Sequence, residues 1–150
     1  MAIEAPKARP GAWLALALSL LCASEGERLR SYADVGGVPT ICDGETKDVR
    51  MGEVRTHEEC VAMLENRIQY FADGVDRCTK VPLSAGQKAA FVDFAYNEGT
   101  GNYCKYLAPI VNAGRMKAAC DDLLHFTTAG GKVYQGLVTR RNKERALCLT

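Results

Sequence analysis

Residues 25–46 read EGERLRSYADVGGVPTICDGET, and this stretch decides how the rest of the chain is read. It carries two carboxylates nine residues apart, Glu25 and Asp34, with Thr40 six residues further on. A gap of nine does not return to one face of a single helix; it suits one acid on the last turn of a helix and the other on the hairpin that follows. The Gly36-Gly37 pair supplies a turn, so residues 28–46 are expected to form a small hairpin or sheet. Two carboxyl groups separated in this way are the equipment of glycosidic cleavage: one protonates the leaving oxygen, and the other handles water or the sugar cation. The chain has 18 acidic residues, so a solvated surface pair is the competing reading of the spacing alone.

Upstream lies GAWLALALSLLCA, residues 11–23, with no charge, after a polar start containing Lys7 and Arg9. Thirteen residues fall short of the roughly 20 that a membrane span needs. They match the apolar core of an export signal, about 7–15 residues long. A cut after Ser24 would make Glu25 the first residue and remove the helix that holds it. Two readings stay open: the run is the first helix of the fold, or it is that helix and an uncleaved export signal as well.

Downstream, Thr56 and Glu59 form a capping-box pattern that predicts a helix to about Phe71, with Cys60, Met63, Leu64 and Ile68 inward. Ser84 and Gln87 repeat the pattern before a helix that buries Ala90, Phe91, Phe94 and Ala95. Met116, Ala119, Cys120, Leu123 and Leu124 make an amphipathic stripe, and Thr139 is placed to cap a last helix ending near Cys148. The sum is one mainly helical domain of 150 residues with a small sheet near its front.

A net charge of +1 gives no broad attraction to nucleic acid. Arg140, Arg141, Lys143 and Arg145, interrupted by Glu144, read as a solvated helix face. Seven cysteines include no C-x-x-C pair, and His57 and His125 are not at zinc-binding spacing from them, so neither metal nor cofactor is expected. The cysteines are either reduced core residues or a disulfide framework in an oxidising compartment.

The pattern E-G-x-R-L-x-x-Y-x-D-x-x-G-V-P-T-I-C-x-G-x-T resembles the active-site segment of phage-type lysozymes, the endolysins that cut peptidoglycan. Gly26, Leu29, Tyr32, Gly44 and Thr46 fall where that family has them; Glu45 departs from a frequent histidine. FVDFAYNEGTGNY, residues 91–103, and GLVTRRNKERALCL, residues 136–149, continue the likeness, which spans roughly residues 23–149. The resemblance implies an α+β, lysozyme-like two-lobed fold with the helix from Ser84 running between the lobes and a glycan cleft beside it. It implies a muramidase acting on the β-1,4 bond between N-acetylmuramic acid and N-acetylglucosamine. Glu25 would be the general acid, desolvated by the apolar run before it. Asp34 would be the ionised partner, and Thr40 would hold the water. Asn97 would bond a sugar N-acetyl group, or else cap its helix, since Gly99 follows closely.

The resemblance also suggests the disulfides Cys42–Cys60, Cys78–Cys104 and Cys120–Cys148. Cys22 is then left as a free thiol, either buried as a small hydrophobe or able to exchange with the disulfide of Cys42. Similarity to signal-arrest-release endolysins implies a monomer acting on peptidoglycan in the host periplasm. Its inner-membrane-tethered precursor would use residues 11–23 transiently, with residues 1–24 as the export segment and 25–150 as the catalytic domain. The alternative is a peptidoglycan-binding module on a lysozyme scaffold that has lost catalysis; intact Glu25, Asp34 and Thr40 argue against it.

Overall fold

The computed structural model describes residues 10–150; the polar start with Lys7 and Arg9 lies outside the described residues. The apolar run folds as helix α1 (Pro10–Glu25). Trp13, Ala17 and Leu21 recur every four residues along it and are buried in the main core. The opposite face, with Ala12, Ala15, Ser19 and Cys22, is exposed. The run is therefore the first helix of the fold. No helix among the described residues is long and apolar enough to cross a membrane.

The chain then enters an antiparallel hairpin of β1 (Arg28–Ala33) and β2 (Pro39–Cys42), pairing Tyr32 with Thr40 and Ala33 with Pro39. Helix α2 (His57–Cys78) opens with both halves of the expected capping box. It runs past Phe71, where the sequence reading stopped it, because Gly74 is not a breaker here. A Cβ at Gly74 would lie 2.5 Å from the side chain of Thr100, so the glycine permits a close approach.

Helix α3 (Ala85–Glu98) follows its own capping box. Every residue from Ala89 to Ala95 is buried, and α3 lies against α1, α2 and the C-terminal helix. It is thus the axis of the large lobe, and the expectation that it runs between the lobes is corrected. That role belongs to α2. Cys60 and Met63, near its start, pack with Ile41, Cys42 and Val49 in a small second core, whereas Leu64, Ile68, Ala72 and Val75 belong to the main one.

After α3 come the single turn α4 (Thr100–Asn102), a π-helical turn (Tyr103–Leu107), α5 (Ala108–Asn112), α6 (Met116–Asp122) and a 3₁₀ turn (Leu123–His125). A two-residue hairpin, β3 (Thr128–Ala129) with β4 (Lys132–Val133), leads into α7 (Gln135–Cys148). The last helix does not start at Thr139. The carbonyl of Tyr134 already accepts from the amides of Leu137 and Val138, so Thr139 lies inside the helix. Disulfides join Cys42 to Cys60, Cys78 to Cys104 and Cys120 to Cys148, pinning the hairpin to α2, α2 to the π turn, and α6 to α7.

Candidate active site

The hairpin turn holds Asp34 and Thr40 by short-range bonds. Asp34 Oδ1 accepts from the amides of Gly36 (2.8 Å) and Val38 (2.9 Å), and its carbonyl accepts from Gly37, which sits at φ +78°. One carboxylate oxygen is thus tied down by backbone. Among the described residues Oδ2 has no hydrogen bond. Thr40 is buried, and its hydroxyl donates to the carbonyl of Val38 at 2.9 Å. With its proton committed, Thr40 Oγ1 offers lone pairs, which is what holding a water by one of its protons requires.

Glu25 is the last residue of α1, and its partner comes from the far end of the chain. Arg140 Nη1 donates to Glu25 Oε1 at 2.6 Å. The same guanidinium gives its Nε and Nη2 hydrogens to Asp93 of α3, both at 3.0 Å. Asp93 is fully buried and Arg140 nearly so, so this two-pronged pair is shielded from water. Burial disfavours the Arg140 charge, but the Asp93 and Glu25 carboxylates more than offset it and hold the guanidinium firmly protonated. Glu25 Oε2 faces the β2 turn, where a Cβ on Gly44 would lie 3.9 Å from it. The expected apolar wrapping of Glu25 is absent: its side chain is 26% exposed and its neighbour is a cation.

Asn97 is exposed, and its Oδ1 accepts from Arg141 Nη2. It does not cap α3, whose end is closed by the Gly99 amide bonding Ala95. Arg141 is fully buried over the ring of Phe94, with Glu144 Oε2 3.3 Å from its Nε. The solvated-face reading of the basic cluster therefore fails for two of its four members. The face of α7 bearing Arg140, Arg141 and Glu144 turns inward against α3.

Between the lobes, Tyr96 donates to the carbonyl of Asp43 at 3.2 Å, and Arg67 pairs with Glu45 at 3.1 Å, so the departing Glu45 serves as an inter-lobe contact. Burial pushes the Tyr96 phenol up to about 12, so this bond persists over the working pH range. Asp43 is raised by burial and by the charges of Glu27 and Glu25. Cys22 is exposed rather than buried; partial desolvation and the nearby Asp43 and Glu27 raise its thiol, which keeps it a poor nucleophile. A cavity of about 600 Å³ is walled by Ala23 and Ser24, by Tyr134, and by Arg140 and Lys143; Glu25, Asp34 and Thr40 are not in its wall.

A family model described as phage lysozyme matches residues 22–144. The chain belongs to the phage lysozyme family. The SAR-endolysin of Bacteriophage PS119 is 41% identical over 127 residues, covering 83% of this chain and 76% of that one. The SAR-endolysin of Pseudomonas phage phiKMV is 40% identical over 143 residues, covering 93% and 89%. A crystal structure of P22 lysozyme superposes with a TM-score of 0.83 at 28% identity, over 97% of this chain and all of that one. As a phage lysozyme the chain is a glycoside hydrolase, and peptidoglycan is its substrate.

The residues that sequence reasoning missed in this lysozyme are Asp93, Arg140, Arg141 and Glu144. A signal existed: Asp93 is the one charge within AAFVDFAY, a stretch otherwise apolar or aromatic, and a lone acid there requires a buried partner.

Proposed function

We propose that the chain is a muramidase in which Glu25 is the general acid, Asp34 the ionised partner and Thr40 the residue that holds water. The observation that carries this reading is the hold on the two acids: Arg140 fixes Oε1 of Glu25 at 2.6 Å, and the amides of Gly36 and Val38 fix Oδ1 of Asp34, so each acid keeps its second oxygen for chemistry. With Oε1 held by Arg140, Glu25 has Oε2 left to carry a proton to the glycosidic oxygen. Since the apolar run does not dehydrate Glu25, the bound glycan itself has to exclude water. Asp34, anchored by two amides, keeps Oδ2 for the sugar cation or the attacking water. The same water donates its other proton to Thr40 Oγ1. Asn97 contributes to glycan binding through its amide nitrogen, since its oxygen is taken by Arg141.

The names of the relatives support action in the periplasm from a membrane-tethered precursor. On this reading the chain is a monomer that keeps residues 1–24 after export, and residues 11–23 pass from a transient inner-membrane association to the core position of α1. Residues 25–150 carry the catalytic machinery, and Cys22 stays a free thiol. The test is lysis of permeabilised Gram-negative cells followed by turbidity, wild type beside Glu25→Gln. Lysis by wild type and its loss in the variant are expected. Near-normal lysis by the variant overturns the assignment of Glu25. Mass spectrometry of periplasmic material is expected to find residues 1–24 attached; a start near Glu25 refutes the uncleaved signal.

A further inference from the structure

Glu144 takes no part in the chemistry above, yet it lies in the most deeply buried polar cluster described. Its side chain has no solvent exposure, and neither has that of Asp93. Arg141 Nε lies 3.3 Å from its Oε2 and Arg140 Nε 3.9 Å from its Oε1. Neither contact has hydrogen-bond geometry, and both Glu144 oxygens lack an aligned donor. A buried carboxylate without donors is strongly disfavoured. Arg140 Nε lies 3.9 Å from Glu144 Oε1 and 3.0 Å from Asp93 Oδ2, so the two buried side chains meet at one nitrogen, and a carboxylic acid in place of the Glu144 carboxylate brings a donor to the Asp93 acceptor.

The charges around it point the same way. α7 contributes two cations, Arg140 and Arg141. Facing them are Asp93 and Glu98 from α3 and Glu25 from α1, which already outnumber the guanidiniums. An ionised Glu144 would add a fourth negative charge to two positive ones. The α6 side brings no relief, because Asp121 is taken up by Lys117 and Arg145, and Asp122 by His125, outside the cluster. Burial first, then the bond to Asp93 and its charge, hold the Glu144 proton to well above the usual carboxylate range.

We propose that Glu144 is a positioning residue for Glu25: as the neutral acid it donates its proton to Asp93, which steadies the Asp93–Arg140 fork and so fixes the N–H that Arg140 presents to Glu25. The proton stays on Glu144 and is shared only as a hydrogen bond. Arg140 commits three of its five N–H donors here, two to Asp93 and one to Glu25. An ionised Glu144 would compete with Asp93 for the Arg140 Nε hydrogen and turn the plane of the guanidinium. The positioning claim rests on the muramidase reading; the protonation claim does not.

The test uses two variants. Glu144→Gln keeps the shape, stays neutral and can donate an amide N–H to Asp93. Glu144→Leu fills the space and cannot donate. Infrared spectra of the intact protein at neutral pH are expected to contain a protonated-carboxyl band that is retained in Glu25→Gln and lost in Glu144→Gln. Peptidoglycan turnover by Glu144→Gln is expected to stay within about twofold of wild type with an unchanged pH–rate profile. Glu144→Leu is expected to lose about 10-fold or more in kcat, the scale seen when an outer partner of a functional group is removed, with KM nearly unchanged and the acid limb displaced.

Absence of the infrared band overturns the proposal, and so does a displaced profile in Glu144→Gln, which would mean that a buried charge had been removed. A fully active Glu144→Leu with a normal profile overturns the positioning role. If the band is present while wild type shows no lytic activity, the muramidase reading fails and the protonated Glu144 stands.

Discussion

The two walls of the proposed catalytic cleft are built by opposite strategies. On the hairpin wall, Asp34 and Thr40 are held by partners two to four residues away in sequence. On the helical wall, Glu25 is held by Arg140, 115 residues away, and Arg140 by Asp93, 47 residues away. The hairpin wall needs little beyond its own turn and the Cys42–Cys60 staple. The helical wall exists only when α1, α3 and α7 have packed. Damage to the second wall should therefore reach stability, whereas damage to the first should be confined to turnover.

The largest effect is expected at Arg140. Arg140→Met leaves Asp93 buried without its cation, and breaking a buried pair in this way costs about 3–5 kcal/mol. Chemical denaturation should report that loss, together with a collapse of activity. A stability change as small as that of a surface substitution would mean that the fork does not hold the helices together.

Next come the two carboxylates. Glu25→Gln and Asp34→Asn should each lower turnover by at least ~10²-fold, the usual scale for acid–base groups. Pull-down on insoluble cell wall should still find both variants bound. Reduced binding at unchanged turnover would mean that Asp34 grips the glycan and does not act on it. Thr40→Val keeps the shape and removes the hydroxyl; a loss of roughly 10-fold in kcat is expected from one water-positioning bond, with a denaturation midpoint near that of wild type. If Thr40→Val instead unfolds the hairpin, the two walls are less different than their bonding suggests.

The smallest effect belongs to His57, an exposed residue at the start of α2 that bonds Glu27 at 2.8 Å. The bond to Glu27 and its charge raise the imidazole above its usual value. For a group raised on folding, the stabilisation is fully present below the unfolded value and is lost as pH rises through the folded one. His57→Ala should therefore lower Tm slightly at about pH 5 and not at about pH 9, given the usual histidine value of about 6.5. A larger deficit at the basic end would reverse the sign and refute the pairing.

The contrast between the walls also explains what could be read from the chain. The Gly36-Gly37 turn, the capping boxes at Thr56 and Ser84, and the Glu25, Asp34, Thr40 register are local patterns, and local patterns survive in a one-dimensional string. Helix α2 runs on past Phe71 to Cys78, and the close approach of Gly74 to Thr100 in that extension is a contact across the fold that leaves no local pattern. Arg140 and Arg141 misled for a related reason. A basic run broken by a glutamate is usually solvated, and only the fold reveals that Asp93 waits opposite. The free thiol of Cys22 was legible by elimination from the suggested pairs, but its exposed face of α1 was not, since α1 is apolar all round.

The assignment of Glu25 as the acid of a muramidase is tested most directly by digesting purified peptidoglycan and identifying the new reducing ends by mass spectrometry. Wild type should release muropeptides that end in reducing N-acetylmuramic acid, and Glu25→Gln, folded and bound to the wall, should release almost none in the same time. Reducing N-acetylglucosamine ends, or undiminished release by the variant, would contradict the assignment.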